Sequence, residues 1–371
     1  MTSSFLYAQK TLKFILATFA ILSFVESNAQ LKQDTNKRVQ YLLIPVLFKT
    51  PETGLAYGLS GSISFKTTHK HDPLTRTSVI QTIGFFTTRR QNLQAIDGSI
   101  YFPKEKYILL FQISHSYFPD RFWGIGPSTN DLRGERYVYE QEYFYPHIKR
   151  KIRKHLFAGA QYEFQNVNHI AYLKAGRFDS AAFYGKQPYK VSGLGVSLSY
   201  DTRNLSFWPD RGVYLQTLST IFRKELLSDY NVLKWITDLR YFKKIYKNHI
   251  LAMQIYNYST YGQTPLRELA SFGGSNNMRG FYQGRYRDNN MISFITEYRL
   301  HIKGRFSACA FGGIGNVYNT YKDLLKTNPK YSYGAGVRLA LLQKEKLNIR
   351  VDYGYSSRYN QGLYVTVGEC F

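Results

Sequence analysis

Residues 273–288 read GGSNNMRGFYQGRYRD. Three arginines, Arg279, Arg285 and Arg287, alternate there with Phe281, Tyr282 and Tyr286. A guanidinium presents a rigid fork of donors that pairs with a carboxylate or a phosphate, so this stretch is equipped to recognise anions. Covalent chemistry has no comparable candidate. The chain holds no G-x-S-x-G elbow, no H-E-x-x-H pair and no P-loop, so no enzyme is indicated. His69-Lys70-His71 with Asp72 offers three ligands in a polar turn, fewer than the four of a closed structural site, and no metal or other cofactor is expected. Asp201-Thr202-Arg203 reads as a turn with a local ion pair.

The elements around the arginine-rich stretch must position it. It lies between two strand-like runs, 247–260 and 291–302, and is too long for a tight hairpin. It is too rich in Gly and Arg to be a strand, and its aromatic load does not suit a disordered linker. An ordered loop packed against a surface is expected. The neighbouring runs alternate with period two. In 230–243, Leu233, Trp235, Leu239 and Tyr241 oppose Lys234, Asp238 and Arg240. In 291–302, Ile292, Phe294, Tyr298 and Leu300 oppose Ser293, Glu297 and Arg299. Runs 191–201 and 346–355 behave alike. Charge recurring at mid-strand places the polar face in a wet interior and the apolar face in lipid, and only a closed barrel satisfies a sheet backbone there.

About sixteen such runs follow residue 40, an even number of strands of membrane-crossing length. The fold class is therefore all-β: a transmembrane antiparallel β-barrel of about 16 strands with a long extracellular loop, 261–290, folded into the lumen. Long connections at 118–135, 166–190, 261–290 and 318–329 alternate with brief ones at 150–151, 244–246, 303–304 and 343–345. The compact first hairpins and the long 202–211 turn fit this pattern less well. The 118–135 segment, with Phe118, Phe122 and Trp123, reads as a loop folded onto the rim, either a client or lipid contact or part of an interfacial aromatic belt.

Lys and Arg number 49 against 25 Asp and Glu, a net charge of +24 in 371 residues. The cations recur along the whole chain, which suits charged loops and a charged lumen; no nucleic-acid partner is expected. Extracellular cations would pair with lipid A phosphates. Residues 1–29 have the form of a secretory signal: Lys10 and Lys13, an apolar run 14–25, and Ser27-Asn28-Ala29 at the cleavage site. Residues 30–39 form a polar stub, and 40–371 the barrel. Cys309 and Cys370 read as small strand residues.

Met278-Arg279-Gly280-Phe281 is close to the [VI]RG[FY] signature of the outer-membrane protein assembly-factor superfamily, the bacterial surface antigen family of BamA-like and TamA-like barrels. Glu297 in SFITEYRL matches a Glu usual on the following strand. Phe311-Gly312-Gly313-Ile314-Gly315 follows the family's F-x-D-x-G pattern except at Gly313. Residues 331–341 and 347–355 resemble its last complete hairpin, and GLYVTVGECF its terminal assembly signal, with Gly368 and Phe371. The resemblance is good over 190–371 and loose before it. It implies that the loop motif Arg279, Gly280 and Phe281 folds into the lumen, with Glu297 and Asp352 as partners of Arg279 and with Phe311, Gly313 and Gly315 on the wall. Gly313 removes one family carboxylate. An exposed Arg279 on lipopolysaccharide phosphate is the other reading.

The resemblance also implies a weak pairing of the first and last strands, 40–49 and 362–371, opening a gate to lipid. Relatives carry periplasmic POTRA domains, whereas this sequence has only the stub, so a barrel-only member is expected. The function implied is assistance to insertion or translocation of proteins, or of lipids, at the bacterial outer membrane. Partners would be outer-membrane lipids and lipopolysaccharide, unfolded outer-membrane or secreted clients, and periplasmic accessory proteins. A passive anion-favouring pore with a loop plug is the alternative.

Overall fold

A computed structural model describes residues 39–68, 75–129, 133–205, 208–342, 347–357 and 360–371. The signal-like segment and the His69-Lys70-His71 group lie outside the described residues. In chain order the strands are β1 (Val39–Thr50), β2 (Gly54–Phe65), β3 (Ser78–Thr87), β4 (Asn92–Tyr101), β5 (Tyr107–Phe122), β6 (Glu135–Arg153), β7 (Leu156–Tyr172), β8 (Tyr189–Asp201), β9 (Gly212–Phe222), β10 (Val232–Tyr246), β11 (His249–Gly262), β12 (Ala270–Phe272), β13 (Tyr286–Asp288), β14 (Asn290–Lys303), β15 (Phe306–Tyr318), β16 (Lys330–Leu342), β17 (Leu347–Ser356) and β18 (Asn360–Val367). Sixteen of these close into one antiparallel barrel, in which β14 follows β11 and β18 returns to β1. The short strands β12 and β13 pair with each other inside the loop 263–289.

Burial is inverted relative to a water-soluble protein. On β8, Leu194 and Val196 are 55% and 66% exposed, while Ser197 and Ser199 opposite them are buried. On β14, Phe294 and Tyr298 are exposed and Glu297 and Arg299 are fully buried. This is the arrangement lipid selects: apolar side chains outward, ionisable ones paired within the lumen.

Four boundaries differ from the sequence reading, each because tertiary contacts override local composition. The Pro119-Asp120 turn signal does not end β5, which continues to Phe122 and pairs with β6 up to Glu135. β7 likewise runs to Tyr172. Within the arginine-rich stretch, Tyr286–Asp288 is a strand after all, because Ala270–Phe272 supplies its partner. The last strand stops at Val367, eight residues long. Gly368, at φ +87°, then turns the chain, and Cys370 and Phe371 lie buried rather than on a strand.

Candidate functional site

The 263–289 loop descends into the lumen, and its motif sits on the wall made by β14 to β18. Arg279 is 1% exposed. Its Nη1 donates to Asp352 on β17 at 2.5 Å, and its Nη2 donates to Glu297 on β14. Its guanidinium carbon stands 3.5 Å from the centre of the Phe311 ring on β15. One desolvated cation is thus held by two carboxylates from strands far apart in the sheet and by an aromatic face.

The register explains why these side chains meet. Glu297 lies opposite Phe311, Phe311 opposite Gly334, and Gly334 opposite Gly354, so the four form one row across β14 to β17. The two glycines leave room beside the Phe311 ring. A Cβ at Gly334 would fall 2.5 Å from the Phe311 Cζ, and one at Gly354 2.9 Å from the Gly280 nitrogen. Gly280 itself adopts φ +107°, which bends the loop onto the wall.

Gly313, where the family pattern has Asp, faces Met278. A Cβ there would lie 2.9 Å from the Met278 sulfur. The loop fills this place with an apolar side chain, and Asp352 provides the second carboxylate. Gly315 makes way for Phe272 in the same manner. Phe281 is fully buried and meets Phe272 edge-on at 5.3 Å, within an apolar cluster that includes Met278, Tyr286, Met291 and Phe371.

The charge network continues toward the end of the chain. Glu297 also accepts from Arg299 at 2.9 Å, and Asp352 from Arg338 at 2.5 Å. Arg299 donates to the Phe371 main-chain oxygen at 3.1 Å, and Arg338 to Glu369 at 2.9 Å. Gly368 through Phe371 are therefore folded into the lumen, with Trp208 of the 202–211 turn beside Arg299 at 5.2 Å. This accounts for the length of that turn: it tucks an indole under the barrel.

Three anchors escaped the sequence reading. Tyr364 on β18 accepts from the Gly280 nitrogen at 2.9 Å and donates to the Phe281 carbonyl at 3.2 Å, tying the loop to the last strand. Its period-two position on the lumen face was the available signal. Lys234, buried on β10, donates to Glu163 at 2.5 Å and to Glu268 of the loop at 3.0 Å. Asp120, at the top of β5, accepts from Tyr137 at 3.1 Å, Tyr282 at 3.3 Å and Arg287 at 3.1 Å. Nothing in FPDRF marks Asp120 as a hub. Residues 123–129 pack on the same loop, with Trp123 5.0 Å from Tyr282 and the Gly126 nitrogen donating to the Arg287 carbonyl at 2.7 Å. Trp123, 5% exposed, faces this loop, and Phe122, 1% exposed, packs on Phe178 and Phe183 of the β7–β8 connection, which corrects their reading as a lipid belt or client contact.

The strands that close the sheet differ in length, β1 having twelve residues and β18 eight. β17 and β18 share eight register pairs. Among the described residues, β1 and β18 share one, Lys49 with Val365.

The Omp85 superfamily domain matches residues 96–371. The chain belongs to the Omp85 superfamily. Its barrel is similar to that of BamA from Haemophilus ducreyi lacking POTRA domains 1–3, at TM-score 0.61 and 12% identity over 90% of this chain and 70% of that one. CdiB from Acinetobacter baumannii matches at 0.60 and 11%, and CdiB from Escherichia coli at 0.61 and 12%, each over 90% of this chain. The match spans 60% and 63% of those two proteins. At such identity the likeness is one of fold. Comparison with curated proteins gives no match. The described residues of this Omp85 protein form the barrel and contain no POTRA domain.

Proposed function

We propose that this Omp85 barrel assists the insertion or translocation of proteins at the outer membrane through its β1–β18 seam. The observation that carries the reading is the shortness of that seam. β18 has eight residues, fewer than the ~9–11 a membrane strand uses, and among the described residues one register pair, Lys49 with Val365, joins it to β1. β1 has twelve residues, so part of its edge extends beyond β18 and can be offered to an incoming strand, and such edge pairing is a general mode of peptide capture.

The loop is the second part of the mechanism. Arg279 fixes it to β14 and β17, while Tyr364 fixes it to β18. A shift of β18 away from β1 strains the Tyr364 bonds, and a client strand pairing with β1 replaces the backbone partners lost. No covalent step is required. The packed loop disfavours the reading as a passive pore, since Phe272, Met278, Phe281 and Tyr286 form a buried apolar cluster with residues of the barrel wall. Clients are proposed to be unfolded outer-membrane or secreted proteins, delivered by periplasmic accessory proteins to a chain exported by cleavage after Ala29.

The test is the outer-membrane proteome after depletion, with wild-type and Arg279→Ala complementation. A set of barrels or surface proteins should fall, recover with the wild type and fail to recover with the variant. An unchanged proteome overturns the reading.

A further inference from the structure

Exposed charge is unequally placed at the end of the barrel that carries the brief turns. On β6, Arg150 is exposed between Ile148 and Ile152, which share its face and are 48% and 52% exposed. Lys154 follows in the turn, also exposed. On β10, Lys243 is exposed between Tyr241 and Ile245 on the same face, and Lys244 and Lys247 follow. Lys303 stands between Ile302 and Phe306, 58% and 57% exposed. Carboxylates do not balance these cations. Among the described residues of the turns at this end, Glu105, Asp201 and Asp210 are the acids, and none is exposed. Glu105 is held by Arg76 at 2.6 Å, and Asp201 by Arg203 at 2.9 Å.

The alternation identifies the ligand. A cation in the last row of an apolar belt lays its aliphatic stem along hydrocarbon and lifts its charge to headgroup level. A surface built for a soluble acidic protein has no need of exposed apolar side chains on both sides of Arg150, Lys243 and Lys303. The sequence reading spread the excess charge over loops and lumen and paired its extracellular part with lipid A. The described turns place an exposed share of it here, where their acids are not exposed.

We propose that the turn end of the barrel carries a cation ring that binds the phosphates of anionic glycerophospholipids in the adjoining leaflet. The ring would enrich such lipids around the barrel and set its depth in the membrane.

The experiment uses the purified full barrel in phosphatidylcholine vesicles doped with spin-labelled phosphatidylglycerol or spin-labelled phosphatidylcholine. The readout is the fraction of each label immobilised at the protein surface. Phosphatidylglycerol should be preferred several-fold at low salt, and the preference should weaken at high salt, as expected for headgroup electrostatics. The combined variant Arg150→Gln, Lys243→Gln, Lys244→Gln, Lys247→Gln, Lys303→Gln should lose most of it. Replacing the four lysines by Arg should retain it, which separates charge from folding. Equal immobilisation of the two labels in the wild type overturns the proposal. So does a preference that survives the Gln variant, including the case in which that variant loses only affinity for a soluble acidic probe such as polyglutamate.

Discussion

Gly354 on β17 is bare because the backbone of Gly280 occupies the place of its side chain: a Cβ there would lie 2.9 Å from the Gly280 nitrogen. Loop and wall are thus in backbone-to-side-chain-free contact next to the Arg279 ion pairs. Gly354→Ala should lift the loop from the wall without touching a charge. The expected outcome is faster proteolysis within 273–288 and a lower unfolding midpoint, with the barrel still folded by heat-modifiable mobility. Unchanged proteolysis would show that the contact does not hold the loop.

Removing the cation leaves Glu297 and Asp352 buried with one partner fewer each. Breaking a buried ion pair on one side costs about 3–5 kcal/mol, and Arg299 and Arg338 remain to offset part of it. Arg279→Ala should therefore destabilise the loop strongly, and Arg279→Lys should fall between it and the wild type, because an ammonium lacks the planar fork that faces Asp352 and Glu297 while stacking on the Phe311 ring. Denaturant midpoints of the three proteins in the same detergent check the order.

Gly313 gives a prediction of compensation. Gly313→Asp restores the family carboxylate but meets the Met278 sulfur, so it should destabilise. Gly313→Asp with Met278→Val should recover part of the loss. A double-mutant cycle gives a coupling of about 0.5–3 kcal/mol for residues in contact; purely additive effects would contradict the packing.

Glu52, in the turn after β1, accepts from the Gln283 nitrogen at 2.6 Å. Burial pushes its carboxyl above the ordinary value of 4.5, against the lowering effect of that bond. The folded state therefore binds this proton more tightly than the unfolded one. Its contribution to stability is fully present at acid pH and declines as pH rises through 4.5 toward the raised folded value. Glu52→Gln should remove this decline: the variant should be at least as stable as the wild type at pH 7, with its advantage vanishing toward pH 4. Thermal midpoints across that range provide the check, and an opposite slope would refute it.

Much of this was legible in the sequence, for identifiable reasons. Period-two alternation with Lys234, Glu297, Arg299 and Asp352 at mid-strand could only mean a charged interior, and the strands follow it. Glu297 was legible as a partner of Arg279 through the family resemblance, and Asp352 because its position puts it on the same face. What stayed hidden depends on contacts between distant segments. Pro119 and Asp120 look like a turn, yet Arg287 and Tyr282 descend onto Asp120 and β5 continues past it. GLYVTVGECF reads as an uninterrupted strand, but Arg299 and Arg338 draw its last residues inward past Gly368. Tyr286–Asp288 needed a partner strand formed within the same loop.

The central claim is that the β1–β18 seam must part for the protein to work. Lys49 and Val365 are register partners, and directly opposed residues have the Cα spacing a disulfide requires. The measurement is complementation by Lys49→Cys/Val365→Cys, in a background with Cys309→Ser and Cys370→Ser, scored as client-protein levels in the outer membrane with and without reductant. The account predicts that the oxidised staple abolishes complementation and that reduction restores it, while either single cysteine variant behaves as the wild type. Full complementation by the quantitatively cross-linked barrel would contradict it.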